Sequence, residues 1–183
     1  ARRAAEIGKD DPAALYSAGL ILIWIVGDLD AGDVLIDQAL VLNPNLAWAW
    51  LYSGWAKVAL GKAELAIERE ERAMRLSPHD PLTFIMQSAV AAAHFLAGRY
   101  AEALSWAELS MREQPNYILS MAVAAAASAI SGNDAAATKV MARLRQTDPE
   151  LRISNLTERL SAIRPLDDFN RWVGALRKAG LPE

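Results

Sequence analysis

The stretch N-P-N-L-A-W-A-W-L-Y-S-G-W-A-K-V-A-L-G-K-A-E-L-A-I-E-R-E-E-R-A-M-R-L-S-P, residues 43–78, reads as two helices with a turn between them, closed at each end by proline. The spacing predicts helices over Leu46 to Leu60 and Ala63 to Leu76. Gly61 stands between them, where a left-handed residue ends a helix at the lowest cost. Pro44 and Pro78 stand where the hydrogen-bond ladder must stop, because proline has no N–H to continue it.

The rest of the chain repeats this spacing. Pro44, Pro78, Pro115 and Pro149 are separated by 34, 37 and 34 residues. A glycine precedes each proline by 17 residues: Gly27, Gly61, Gly98 and Gly132. Two markers in phase four times define a repeat. The first pair is expected at Ala13 to Val26 and Asp30 to Leu42. The third is expected at Pro81 to Leu96 and Tyr100 to Glu113, the fourth at Tyr117 to Ser131 and Asp134 to Gln146. Pro81 suits a first helical turn. The three additional residues of the 37-residue interval are expected to lengthen the first helix of the third pair or its flanking turns, three residues being nearly one helical turn. Small side chains recur in the second helices, at Ala39, Ala73 and Ser110, with Leu144 in the last pair, and at Gly32, Ala66, Ala103 and Ala137. Small side chains let helices approach closely, so these positions mark helix–helix contacts.

This 34-residue helix–turn–helix unit resembles the tetratricopeptide repeat (TPR). Trp50, Gly54, Ala66, Ala73 and Pro78 match that pattern, while Ser53, Lys57 and Glu70 stand where it prefers leucine, tyrosine and a large apolar residue. The resemblance implies an all-α, right-handed superhelical stack of hairpins. Residues 1–12 would end a preceding repeat, 13–44, 45–78, 79–115 and 116–149 form four repeats, and 150–183 supply capping helices. Glu150 to Ser161 can be helical, and Asp167 or Asp168 can cap a last helix. Phe169, Trp172, Val173 and Leu176 form one apolar stripe on it, and Gly180 suits its end. That helix either covers the end of the stack or pairs two copies as a homodimer.

Composition restricts the functional classes. Of 183 residues, 53% are hydrophobic and 22% charged, with a net charge of −3 and no basic stripe, so a nucleic-acid partner is not expected. There is no cysteine, which fits a reducing, cytoplasmic setting. The first residues read like the middle of a helix, so the chain reads as part of a longer protein. The run A-G-L-I-L-I-W-I-V, residues 18–26, is too short to span a bilayer and is expected to be a helix buried on most of its circumference.

No chemistry is visible. His79 and His94 lie in different contexts without a partner at ligand spacing. Asp28, Asp30 and Asp33 lack the glutamate that a calcium loop needs at its twelfth position, which here is Ala39, and they read as a turn with Asp30 capping the following helix. Glu68, Glu70 and Glu71 with Arg69, Arg72 and Arg75 read as a solvated helix face. Neither catalysis nor a metal or cofactor site is expected.

The six tryptophans are the anomaly, and Trp48, Trp50 and Trp55 fall within eight residues. Trp48 and Trp55 are seven apart and share a helix face, whereas Trp50 points to the pair's own core. In the resembled family the first helices line a concave groove. By that likeness Ser17, Ile21, Trp48, Leu51, Trp55, Leu119 and Ala122 form an apolar groove for a protein or peptide segment. The runs S-G-W-A-K-V-A-L-G, A-M-R-L-S-P-H-D-P-L-T-F and F-L-A-G-R-Y-A-E-A-L-S-W-A are similar to the C-terminal repeat region of bacterial class III adenylate or guanylate cyclases. They are also similar to repeats behind winged-helix regulators. Both likenesses imply a bacterial signalling protein whose active domain lies upstream.

Overall fold

The computed structural model describes residues 8–160 and 166–183, which form a linear stack of four antiparallel helix pairs followed by a C-terminal helical segment. The first pair is α1 (Pro12–Ile21), continued by a π-helical turn (Leu22–Val26), with α2 (Leu29–Leu42). The second is α3 (Ala47–Ala59) with α4 (Ala63–Leu76), and the third α5 (Thr83–Leu96) with α6 (Tyr100–Glu113). The fourth is α7 (Ile118–Ile130) with α8 (Asp134–Thr147). A 3-10 turn (Ile153–Asn155), α9 (Leu156–Arg159) and α10 (Leu166–Lys178) complete the chain. Residues 1–7, read as the tail of an earlier repeat, and Ser161, Arg164 and Pro165 lie outside the described residues.

The glycine marks have one physical origin. Gly27, Gly61, Gly98 and Gly132 take φ values of 82°, 72°, 75° and 77°, a region that side-chain-bearing residues avoid. At the last three, the next residue's N–H donates back five positions: Lys62 to the Lys57 carbonyl, Arg99 to His94 and Asn133 to Ser128. This closure satisfies carbonyls that the helix end would otherwise leave bare.

The first pair breaks the pattern by one residue. Its closing bond spans six positions, from the Asp28 N–H to the Leu22 carbonyl. The π turn absorbs a one-residue insertion in α1 and swings the following side chains outward. Leu22 and Ile23 are buried, but Ile21, Trp24, Ile25 and Val26 are exposed. The expectation of a helix buried around most of its circumference is therefore corrected. Asp28, rather than Asp30, caps α2, its carboxylate accepting the Ala31 N–H. Asp11 does the same for α1 at Ala13, with Pro12 at the first helical position.

The insertion in the third pair lies mainly in the turn. Helix α5 has 14 residues, against 13 in α3 and α7, and Pro81 precedes it rather than opening it. Asp80 organises this turn. Its Oδ1 accepts the Leu82 N–H, and its Oδ2 accepts the Ser77 hydroxyl and the Trp48 indole N–H.

The small positions are where the helices meet. Gly32, Ala66, Ala103 and Ala137 are buried, as are Ala39, Ala73, Ser110 and Leu144. A Cβ on Gly19 would lie 2.7 Å from the Gly32 carbonyl, so α1 and α2 touch backbone to backbone. Ser110 donates to the Phe84 carbonyl at 2.7 Å and accepts from Ser120 at 2.6 Å, joining the third pair to the fourth. The main core runs from α3 to α10 around residues such as Phe95, Met121 and Leu144, each contributing about 2–3 kcal/mol by burial. From the second pair to the fourth, first helices contact one another, α3 with α5 and α5 with α7, while contact between second helices is marginal at most. The stack therefore curves with its first helices inside.

Helix α10 covers the open side of α7. Trp172 and Leu176 are buried, and Phe169 and Val173 pack beside them. Asp167 and Asp168 lie within its first turn, which starts at Leu166, so neither is the residue before it. Arg171 donates to the Leu96 carbonyl and Lys178 to the Ala129 carbonyl, both at 2.6 Å. Each cation meets the negative end of a first helix.

Candidate functional site

The inner face of the stack holds an open recess of about 520 Å³. Four of its wall side chains are aromatic. Trp24 comes from the π turn, Tyr52 and Trp55 from α3, and Tyr117 from the residue capping α7. Ile85 of α5, Ile118 and Leu119 of α7, and Leu160 behind α9 fill the gaps between rings. Asn116 and Arg159 are the polar members of the wall. Every pair and the C-terminal segment contribute, so the recess exists only in the assembled stack.

Local geometry places each ring. Tyr16 of α1 stacks on Tyr52 with centroids 6.4 Å apart and planes 10° from parallel. Tyr117 meets Phe84 edge-to-face at 5.0 Å. Burial pushes the Tyr117 hydroxyl up to about 12, with a smaller contribution from the carboxylate of Glu70. Burial also raises Tyr52, and Tyr16 adds to it. Both phenols thus stay neutral at physiological pH. Arg159 forks onto Asp148 through Nε at 3.0 Å and a terminal nitrogen at 2.8 Å. Its charge is matched inside the protein, and the wall acts as an apolar surface.

The residues expected to form the groove separate into three groups. Trp55 and Leu119 line the recess, although each is mostly covered. Ser17, Ile21 and Trp48 are exposed but lie outside its wall. Leu51 and Ala122 are fully buried and belong to the main core rather than to the wall. Trp48 and Trp55 share a helix face, but seven residues separate them by about 10 Å along the axis. Trp48 therefore reaches the Asp80 turn and stays 44% exposed, whereas Trp55 is 5% exposed. Trp50 is half-buried, not enclosed in the core. Its indole N–H donates to the Pro44 carbonyl at 2.8 Å, and the Arg69 guanidinium lies 4.8 Å from its ring centre.

Sequence reasoning missed Trp24, Tyr52, Ile85, Asn116, Tyr117, Ile118, Arg159 and Leu160. On a helical wheel Leu51 and Tyr52 flank the Trp48–Trp55 face on opposite sides, about 40° and 60° from Trp55, so the wheel alone does not select Tyr52. Trp24 was hidden by the apolar run, and Arg159 is brought in from far along the chain.

Two of the acidic residues are built into the stack. Asp33 pairs with Lys57 across the first and second pairs. Glu70 is fully buried, so it does not belong to a solvated face. Among the described residues there is no group of three metal-ligating side chains, and no helix is long and apolar enough to cross a membrane.

No family model matches the sequence, and no curated protein matches it. Solved structures do match. One is PilW, a widely conserved type IV pilus biogenesis factor, at 15% identity and a TM-score of 0.76, covering 97% of this chain and 79% of that one. MamA from Desulfovibrio magneticus RS-1 matches at 18% identity and 0.68, covering 79% and 80%. YrrB, a TPR protein with an unusual peptide-binding site, matches at 17% identity and 0.63, covering 97% and 94%. At these identities the likeness shows the fold: an all-α stack of TPR-type hairpins.

Proposed function

We propose that this chain is a non-catalytic interaction module that takes an apolar protein segment into the aromatic recess. The observation that carries the reading is the wall itself. Four rings and four aliphatic side chains from every pair converge there, and its one charged member is already paired. Such a surface gains affinity by covering bulky apolar side chains. Trp55 and Leu119 are the contacts retained from the groove expected by likeness, and YrrB, a TPR protein with an unusual peptide-binding site, supports a peptide as the ligand class.

Selection from a random peptide library tests this. Peptides rich in large apolar residues are expected to bind, to lose binding with Ile118→Glu and Ile85→Glu, and to keep it with Val41→Glu on α2. Retained binding by both recess variants would sink the idea. The wider setting, a bacterial signalling protein with an upstream cyclase or winged-helix domain, rests on the sequence likeness alone. The residues preceding Ala1 in the full gene product decide it, and a region there without either domain removes it.

A further inference from the structure

The molecule holds a second device behind the recess wall. Glu70 of α4 is 0% exposed, and neither carboxylate oxygen has a hydrogen-bond partner. It occupies the notch that Gly54 leaves in α3, where a Cβ would collide with its Cγ, Cδ and Oε1. Gly54 precedes Trp55 in α3, and Glu70 is near enough to act electrostatically on Tyr117, so the notch adjoins the chain of one wall residue and influences a second. Buried polar atoms without partners also occur on the two helices that pack against α4: Ser53 and Trp55 on α3, Gln87 and Ser88 on α5.

We propose that Glu70 is a proton-operated pin: neutral, it fills the Gly54 notch and keeps α4 packed on α3; ionised, it draws water into that junction and loosens the Trp55–Tyr117 wall. An ionised carboxylate without partners is far too costly to keep dry.

The surroundings offer it no counter-charge. Helices α3 and α5 pack against α4. On α3 the titratable groups are Tyr52 and Lys57, and the Lys57 ammonium is held by Asp33 and Asp37. On α5 the group is His94, whose Nδ1 accepts from Arg99. Tyr117, ahead of α7, is neutral. On α4 itself Arg69 goes to Asp37, Arg75 to Glu71 and Glu64 to Arg99; Glu68 is exposed and Arg72 half-buried. Burial accordingly raises the Glu70 carboxyl well above its ordinary 4.5.

The proposal needs no ligand and is tested on the chain alone. Urea unfolding from pH 4.5 to 9.5 is compared for the parent, Glu70→Gln and Glu70→Met. Above pH 4.5 the unfolded chain ionises at this position while the folded one keeps its proton. The unfolding constant of the parent should therefore rise about tenfold per pH unit relative to both variants, until the folded group titrates. Amide exchange in α3 and α5, corrected for its intrinsic pH dependence, should accelerate with pH in the parent only, while α8 behaves alike in all three. Parallel profiles in parent and variants overturn the proposal. Should neither variant fold, infrared spectra of the parent carrying 13C-labelled glutamate decide it. A protonated-carboxyl band that persists well above pH 4.5, where an exposed glutamate is ionised, supports the pin, and its absence overturns it.

Discussion

The Lys57 ammonium lies 2.5 Å from one carboxylate oxygen of Asp33 and 2.7 Å from the other, in a site where both residues are buried. Asp37 adds a third contact at 3.2 Å, and Arg69 reaches Asp37 at 3.3 Å. Lysine at a position where an aromatic ring was expected thus ties α2 to α3 and α4 by charge. Lys57→Met removes the cation and leaves Asp33 buried without compensation, a loss of about 3–5 kcal/mol. Asp33→Leu in the Lys57→Met background should recover most of it, because replacing both charges with apolar groups restores a dry, packed site. Urea denaturation of the two singles and the double gives the coupling, and simple additivity would contradict a shared buried pair.

Three glycines should respond to alanine with different signs. Gly54→Ala drives a Cβ into Glu70, which is enclosed and cannot swing away, so a loss of about 1–3 kcal/mol is expected. Gly61→Ala places a side chain at φ 72°, at a cost of about 1–2 kcal/mol, without any clash being needed. Gly174 is exposed in the middle of α10 with nothing near its Cβ position, so alanine there should stabilise by about 0.5–1 kcal/mol. Thermal melts of the three variants check the ordering.

Much of this fold is legible because its punctuation is local. Helices α4 and α6 run over the same residues that the glycine and proline spacing predicts, Ala63–Leu76 and Tyr100–Glu113. A positive φ and a missing N–H are properties of single residues and need no tertiary partner. The site is less legible because it depends on sums over distance. The extra residue in α1 leaves the interval from Gly27 to Pro44 intact, so spacing alone could not reveal the π turn that exposes Trp24. The choice between Leu51 and Tyr52 as wall residue depends on where α1 and α5 press on α3. Glu70 stood out in sequence as a departure from an apolar preference, yet its neighbours in the charge run drew it into a solvated face. Only burial separates it from Glu71, which is exposed beside it and lies 3.6 Å from Arg75.

His94 gives a pH response opposite to that of Glu70. Its Nδ1 accepts the Arg99 Nε–H at 2.9 Å, and Arg99 continues to Glu64 at 2.6 Å. A proton on Nδ1 abolishes the acceptor and sets two cations side by side. Burial, and then Arg99, hold the imidazole below its ordinary 6.5, while Glu102, Glu64 and Glu71 act against this. Below pH 6.5 the unfolded chain therefore binds the proton first, and this contribution to stability is lost as pH falls towards the folded value. His94→Gln should flatten the decline in Tm between pH 7.5 and 5 relative to the parent. A decline as steep in the variant would assign it to other groups.

Tryptophan accessibility separates the two residues that the helical wheel places on one face. Trp48 is 44% exposed at the edge of the Asp80 turn, and Trp55 is 5% exposed in the recess wall, its indole N–H without an acceptor. In variants retaining a single tryptophan, acrylamide should quench Trp48 strongly and Trp55 weakly, with Trp50 between them. The emission of Trp55 should lie further to the blue than that of Trp48, since Trp55 is almost entirely buried within the protein and Trp48 is not. Asp80→Ala should raise the quenching of Trp48 further by freeing its indole N–H, and should leave Trp55 unchanged. Equal quenching of Trp48 and Trp55 would mean that the recess is open to solvent down to its wall. An apolar segment bound there would then have to displace that water before it could touch the ring.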